Sequence, residues 1–244
     1  MGGQAIRVTS PQGRFRSDAR RVNRRVLDRV EAVGKHLFYH FDGDRIVHVH
    51  LGRYGSYTEL PSPPPPPVGQ VRMRMRSDHQ TIDLRGPTAC RVITPEDREA
   101  ITARLGPDPL AGGSKTVVRD LFQSRDKPVA ALLLDQTLIA GVGNIFRAEV
   151  LFEIGMNPLT PGRQLTDEAF ERLWRSNLAM MRKGLKYGKI LGVTAKEAGR
   201  PLAQVEGKDR FRIYGKSHCP SCNGTVETPD IAARRLYYCP RCQR

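Results

Sequence analysis

The end of the chain constrains it most. Cys219-Pro220-Ser221-Cys222 is followed by sixteen residues and then by Cys239-Pro240-Arg241-Cys242. Two C-x-x-C pairs at this separation supply four thiolates for one tetrahedral Zn²⁺. Two disulfides, or a pair of redox motifs, are the competing readings. The first residues show no signal peptide, so an oxidising compartment is not expected. No βαβ pattern surrounds the cysteines, which argues against a thioredoxin-like site. A zinc-clipped β-hairpin over 207–244 is the expectation, with Phe211–Tyr214 as its first strand and Arg235–Tyr238 as its return strand. A module this small presents side chains more often than it reacts, and its available side chains are basic. The fifth cysteine, Cys90, reads as a small buried hydrophobe.

Charge narrows what those side chains meet. The 244 residues carry a net charge of +15, with a pI near 10.1. A chain this basic pairs with a polyanion, and nucleic acid leads over a membrane surface. No apolar run approaches the roughly 18 residues of a membrane span. The arginines are spread along the chain. Several crowd 14–29, and Val71-Arg72-Met73-Arg74-Met75-Arg76 alternates with period two. As a strand, this segment puts three arginines on one face. It reads as a solvated edge strand, with a nucleic-acid face as the alternative.

The first half has strand and turn patterning. Phe38–Phe41, the turn Asp42-Gly43-Asp44 and Arg45–Leu51 form a hairpin signal, with Val47, Val49 and Leu51 on one face. His48 and His50 share the other face and read as ordinary strand histidines. Ser62–Pro67 cannot pair in a sheet and is expected to be an extended surface loop. Thr94-Pro95-Glu96-Asp97 is a helix start. Leu105-Gly106-Pro107-Asp108-Pro109-Leu110 breaks that helix, and a domain boundary is placed at 110/111. Beyond it the period becomes helical. Ser114 caps a helix to about Ser124, Ala130–Leu134 is a buried segment, and Thr166 caps a longer helix. The apolar stripe of that helix is Phe170, Leu173, Trp174, Leu178, Met181 and Leu185. Residues 188–206 are weakly patterned and read as a mobile loop. The fold class is therefore α+β with segregated elements: a β-rich domain over 1–110, a helical domain over 111–206 and a zinc hairpin over 207–244.

The most specific internal segment is Leu134-Asp135-Gln136, followed by Ala140-Gly141-Val142-Gly143-Asn144 and Arg147-Ala148-Glu149. A glycine turn at a helix N-terminus leaves backbone N–H groups for a phosphate. Tight packing explains a Gly-x-Gly corner equally well, and the residues alone leave both readings open.

This segment resembles the helix–two-turn–helix motif of the formamidopyrimidine-DNA glycosylase/endonuclease VIII family. The four-cysteine hairpin is similar to that family's C-terminal zinc finger, Leu105–Leu110 to its linker, and Val33-Gly34-Lys35-His36-Leu37 to the strand bearing its active-site lysine. The likeness spans the chain and leans toward the actinobacterial endonuclease VIII type. It implies an N-terminal β-sandwich, truncated at its start, a helical DNA-binding domain and one structural Zn²⁺. It also implies a base-excision repair enzyme that flips an oxidised base, a pyrimidine above all, out of duplex DNA. Glycosidic cleavage and β,δ-elimination would then run through a Schiff base. The expected partner is double-stranded DNA with damaged bases or abasic sites, bound by a monomer in a bacterial cytoplasm, at the nucleoid.

The resemblance also implies residue roles. Lys35 assists β-elimination, and Arg234 holds the phosphate and serves δ-elimination, with Arg235 one register away. Asn144 and Arg104 contact DNA, while Arg53 and Tyr54 fill the gap left by the flipped base. Glu149 is either a functional acid or a structural charge. Members of the family begin Pro-Glu after the initiator methionine, the proline amine being the nucleophile. The sequence here begins Met1-Gly2-Gly3-Gln4 and matches from near the strand that follows the first helix. A duplex-binding protein without glycosylase activity is accordingly the alternative.

Overall fold

The computed structural model describes all 244 residues, Met1–Arg244. The chain forms two compact units, Met1–Arg104 and Leu105–Arg244. The division falls at the start of the Leu-Gly-Pro segment, a few residues before the boundary read from sequence.

The first unit contains β1 (Gln4–Thr9), α1 (Arg16–Val22), β2 (Arg25–Val33), β3 (His36–Phe41), β4 (Arg45–His50), β5 (Ser56–Pro61), β6 (Val71–Arg76), β7 (Gln80–Arg85), β8 (Ala89–Ile93) and α2 (Pro95–Thr102). The strands run in the order β5-β7-β6-β1-β2-β3-β4-β8. β1 is the corner of this arrangement: Gln4–Ile6 pair with β2, and Arg7–Thr9 pair with β6. The sheet thereby turns over on itself into an antiparallel β-sandwich. Ile6, Val8, Leu27, Val47, Val49, Met73, Met75 and Leu84 fill its interior, and Phe15, Ala19 and Val22 close it beside α1. The hairpin read at 38–50 is in place, with Tyr39 opposite Val47 and Leu37 opposite Val49. Thr94 and Asp97 cap α2 reciprocally.

One strand departs from the sequence reading. β6 is interior, paired to β1 on one side and β7 on the other. Its methionines are in the core, and Arg74 is buried against Asp83. The alternation was legible, but the neighbours that make the strand interior come from distant segments. Ser62–Pro67 carries no strand, as expected.

The second unit contains α3 (Lys115–Gln123), α4 (Val129–Leu132), α5 (Asn144–Glu153), α6 (Asp167–Tyr187), α7 (Ala195–Ala198), β9 (Asp230–Ile231) and β10 (Arg234–Arg235). Ser114 and Thr166 cap α3 and α6 through their side chains. Val118, Phe122, Leu132, Leu133, Val150, Leu151, Phe170, Leu173 and Trp174 form the core. The stripe of α6 continues through Asn177 and Met180, whereas Leu185 is 74 % exposed. In the last turn of α6 it is Tyr187, not Leu185, that packs, against Leu191, Val193 and Val205.

Two further expectations are corrected. Residues 188–206 are organised, not patternless. Leu191, Val193 and Val205 make a small core with Tyr187 and Leu202, and Thr194 and Glu197 form a capping box on α7. Phe211–Tyr214 is not a strand, because the N–H groups of Arg212, Ile213 and Tyr214 are taken by a carboxylate instead of a neighbouring strand. The hairpin of the cysteine module is β9–β10, and Tyr238 adds only an isolated bridge to Glu227. No helix is long and apolar enough to cross a membrane.

Candidate nucleic-acid interface and metal centre

Four cysteines converge at the end of the chain. The ligand sulfurs of Cys219, Cys222, Cys239 and Cys242 all lie within 4.8 Å of one another. Cys219 Sγ is 3.8 Å from Cys242 Sγ, and Cys222 Sγ is 3.5 Å from Cys239 Sγ. A tetrahedron of thiolates at the Zn–S distance of ~2.3 Å has edges of ~3.8 Å. A disulfide needs a separation of ~2 Å, and all five cysteines are free. The donor set therefore fits one structural Zn²⁺ and excludes the disulfide reading. The Gly224 N–H donates to Cys222 Sγ at 3.4 Å, a bond that favours the thiolate, the form that binds metal.

The cluster is fixed to the helical core through its last residues. Gln243 accepts from the Cys239 N–H at 2.9 Å and donates to the Met156 carbonyl at 3.1 Å. Ala148 and Ile213 pack beneath Cys219 and Cys239.

The glycine turn before α5 explains its motif. Gln136 donates Nε2 to the Val142 carbonyl at 2.9 Å, and its Oε1 accepts from the Gly141 N–H at 3.0 Å. Gly141 sits at φ +88°, which favours glycine. The linker docks on the same turn: the Gly106 N–H donates to the Gln136 carbonyl at 2.8 Å. A Cβ on Gly106 would lie 2.5 Å from Leu138 C, so only glycine fits. Tight packing accounts for this corner, and it delivers α5 with no side-chain cap at its N-terminus.

Three polar residues on α5 then hold the cysteine module. Asn144 Nδ2 donates to the Arg235 carbonyl at 3.0 Å. Arg147 is fully buried; it donates to the Ile231 carbonyl at 3.0 Å, to the Arg234 carbonyl at 3.1 Å and to Asn144 Oδ1. It has no carboxylate partner. Burial, and then the nearby Arg234, hold its guanidinium down to about 10. Glu149 is also fully buried and accepts three backbone N–H groups, from Arg212 at 2.9 Å, Ile213 at 3.0 Å and Tyr214 at 2.8 Å. Burial pushes its carboxyl up from the ordinary value, against the pull of those donors. Glu149 is thus a structural anchor. Arg147 was visible in the sequence only as part of a motif. Its signal is the i, i+3 spacing from Asn144, which stacks both on one helix face.

Held in this way, the β9–β10 hairpin turns through Ala232 and Ala233, both at positive φ (+54° and +56°), and exposes Arg234 and Arg235. Asn144, Arg234 and the four cysteines are therefore brought together. The Asn144 amide is engaged by the finger backbone.

The other candidate residues lie in the first unit. Lys35 is exposed in the two-residue turn between β2 and β3. His36 and His50 are paired across β3 and β4, so that turn and the 51–55 loop emerge at one end of the sheet. Arg53 stacks over the Tyr54 ring, 5.4 Å from its centroid, and Tyr54 is 78 % exposed. A Cβ on Gly52 would lie 1.8 Å from Thr88 Oγ1, which pins the base of the loop. Arg104 is exposed at the last position of the unit. Behind Lys35, His36 Nδ1 is 2.9 Å from His48 Nε2, with their rings stacked. Burial and the flanking His36 hold His48 down to about 4.

The model of the formamidopyrimidine-DNA glycosylase N-terminal domain matches residues 3–90, and that of the formamidopyrimidine-DNA glycosylase H2TH domain matches residues 105–195. The chain belongs to the formamidopyrimidine-DNA glycosylase family. It is 41 % identical over 249 residues to a relative named Endonuclease 8 1 from Mycobacterium tuberculosis, covering 99 % of this chain and 92 % of that protein. The Formamidopyrimidine-DNA glycosylase of Thermus thermophilus is 32 % identical over 257 residues, covering 99 % and 91 %. The Lactococcus lactis family member in complex with abasic-site DNA shares the fold, with a TM-score of 0.80, 20 % identity and coverage of 100 % of this chain and 93 % of that one. The sandwich, the H2TH helices and the terminal four-cysteine cluster are the family's architecture in this chain.

Proposed function

We propose that the chain is a base-excision DNA glycosylase with AP lyase activity. It would act by β,δ-elimination on oxidised bases, pyrimidines foremost, in duplex DNA. The observation that supports this most is Arg147, a buried guanidinium with no carboxylate, beside an uncapped helix N-terminus and under a hairpin exposing Arg234 and Arg235. Side-chain charges and helix dipole add with one sign there. A backbone phosphate is the anion that DNA offers to such a cradle.

The residue roles implied by the family resemblance are part of this proposal. Arg234 grips the phosphate of the damaged nucleotide and stabilises the charge that δ-elimination expels. Arg104 and Asn144 contribute along the backbone, Asn144 chiefly by holding the hairpin. Arg53 and Tyr54, already stacked, fill the space of the extruded base. In the reaction an amine attacks C1′, the C1′–N bond breaks, and the base leaves carrying a proton. Each elimination then moves one sugar proton to a base and expels one phosphate. The Lys35 ammonium stabilises the developing charge. One Zn²⁺ on Cys219, Cys222, Cys239 and Cys242 keeps the finger folded and takes no part in these steps.

Borohydride trapping on an abasic duplex, with the linked residue mapped by mass spectrometry, tests this reading. A covalent adduct is expected, on an amine other than that of Lys35. Lys35→Ala is expected to slow single-turnover strand cleavage by about 100-fold while binding DNA normally. No adduct despite tight DNA binding would leave a duplex-binding protein and sink the lyase reading. An adduct on Lys35 itself would overturn the role given to that residue.

A further inference from the structure

The outer face of the sandwich carries a second basic cluster, whose lining includes none of Lys35, Arg53 and Tyr54. Arg7 on β1 and Arg76 on β6 stand directly opposite each other in the antiparallel register, and Thr9 stands opposite Arg74. Like charges in directly opposed positions destabilise a sheet, and neither Arg7 nor Arg76 has an acidic partner. The one carboxylate on this face, Asp83, is fully buried and committed. It takes Arg74 Nε at 2.6 Å and Nη2 at 2.9 Å, and Arg85 Nη2 at 3.0 Å.

Arg74 spends its remaining reach on a roof. Its Nη1 donates to the Pro65 carbonyl at 3.0 Å and pins the proline run over the arginines. Arg7, Thr9, Arg74, Arg76 and Pro64–Pro67 line an open cavity of about 350 Å³. The roof has no N–H to offer, because its residues are prolines. Every strong donor in the cavity therefore belongs to the sheet floor, and the prolines facing it bring no donor of their own. Arginine forks match phosphate bidentately, and the volume suits a single phosphate with an attached sugar, not a duplex.

We propose that this proline-roofed cavity is a second, phosphate-binding site. It would take either the terminal phosphate of a nucleic-acid strand or a free nucleotide. The site rests on the sandwich alone and stands or falls independently of the glycosylase reading.

The test is calorimetry on the full chain, with an abasic-analogue duplex at saturation to occupy the other basic surface. The probes are dTMP, 5′-phosphorylated tetrathymidylate and the same oligonucleotide without its 5′-phosphate. At least one phosphorylated probe is expected to bind, and Arg7→Ser and Arg76→Ser are each expected to weaken it about tenfold or more. Affinity for the abasic duplex should be unchanged in both variants. Binding of dTMP alone would identify the free nucleotide as the ligand, and binding of the phosphorylated oligonucleotide would identify a strand end. Without ligand, the variants should melt no lower than the parent, because a repulsion has been removed. A lower melting temperature would show that the arginines serve the fold and would overturn the site. Phosphate binding indifferent to both variants, or binding of a hexaglutamate peptide but no phosphate, would overturn it equally.

Discussion

Replacing Arg147 by methionine keeps the volume under the β9–β10 hairpin and removes the guanidinium that holds it. Two of its bonds, to the Ile231 and Arg234 carbonyls, are to the hairpin itself. Hydrogen bonds from a charged donor contribute about 1.5–3 kcal/mol each, so the gross docking energy is about 3–6 kcal/mol. Against this stands the cost of burying the charge. A guanidinium brought from 12.5 to about 10 gives up roughly 3 kcal/mol. The two nearly offset, and global stability should fall by about 0–3 kcal/mol. DNA affinity should fall further, because a released hairpin has to be re-ordered on the phosphate. Ordering two backbone residues costs at least about 2 kcal/mol, which is roughly 30-fold in affinity. Fluorescence anisotropy with an abasic-analogue duplex at fixed salt reads the affinity, and thermal melting reads the stability. Arg147→Lys keeps the charge without the fork and should restore only part of the binding. A folded Arg147→Met variant that binds DNA like the parent would refute the clamp.

Two other expectations are cheaper to check. His48 has a depressed folded pKa, about 4 against an ordinary 6.5, so the unfolded chain takes up its proton first. Its contribution, about 3 kcal/mol, is fully present above pH 6.5 and is lost as the pH falls toward 4. His48→Phe should flatten the melting-temperature profile across that window, and an unchanged profile would clear His48 of the effect. Gly192→Ala would place a Cβ 1.9 Å from Glu149 Oε2 and displace a carboxylate tied to three N–H groups. A loss of about 1–3 kcal/mol is expected, read by denaturant titration, and no loss would mean that the Glu149 anchor is dispensable.

Local chemistry was the legible part of this chain. The cysteine spacing, the Thr94 capping box, the Ser114 and Thr166 caps and the 38–50 hairpin all depend on residues a few positions apart, and all are in place. What escaped reading depends on distant partners. β6 is interior because β1 and β7 flank it, and nothing within Val71–Arg76 says so. Phe211–Tyr214 has the composition of a strand, but the N–H groups of Arg212, Ile213 and Tyr214 are satisfied by Glu149, more than sixty residues earlier. The buried Arg147 looked like any other arginine in a chain with net charge +15. α1 was missed because only Ala19 and Val22 of its seven residues are buried, too few to show a period.

The central claim is that the cysteine module exists to set Arg234 against a DNA phosphate. Titration of an abasic-analogue duplex at several salt concentrations tests it most directly, comparing the parent with Arg234→Ala, with zinc content measured on both. Loss of one phosphate contact should weaken binding and reduce the slope of log affinity against log salt by about 1, with a full complement of zinc in each protein. An unchanged slope, or a variant that has lost its zinc, would contradict it.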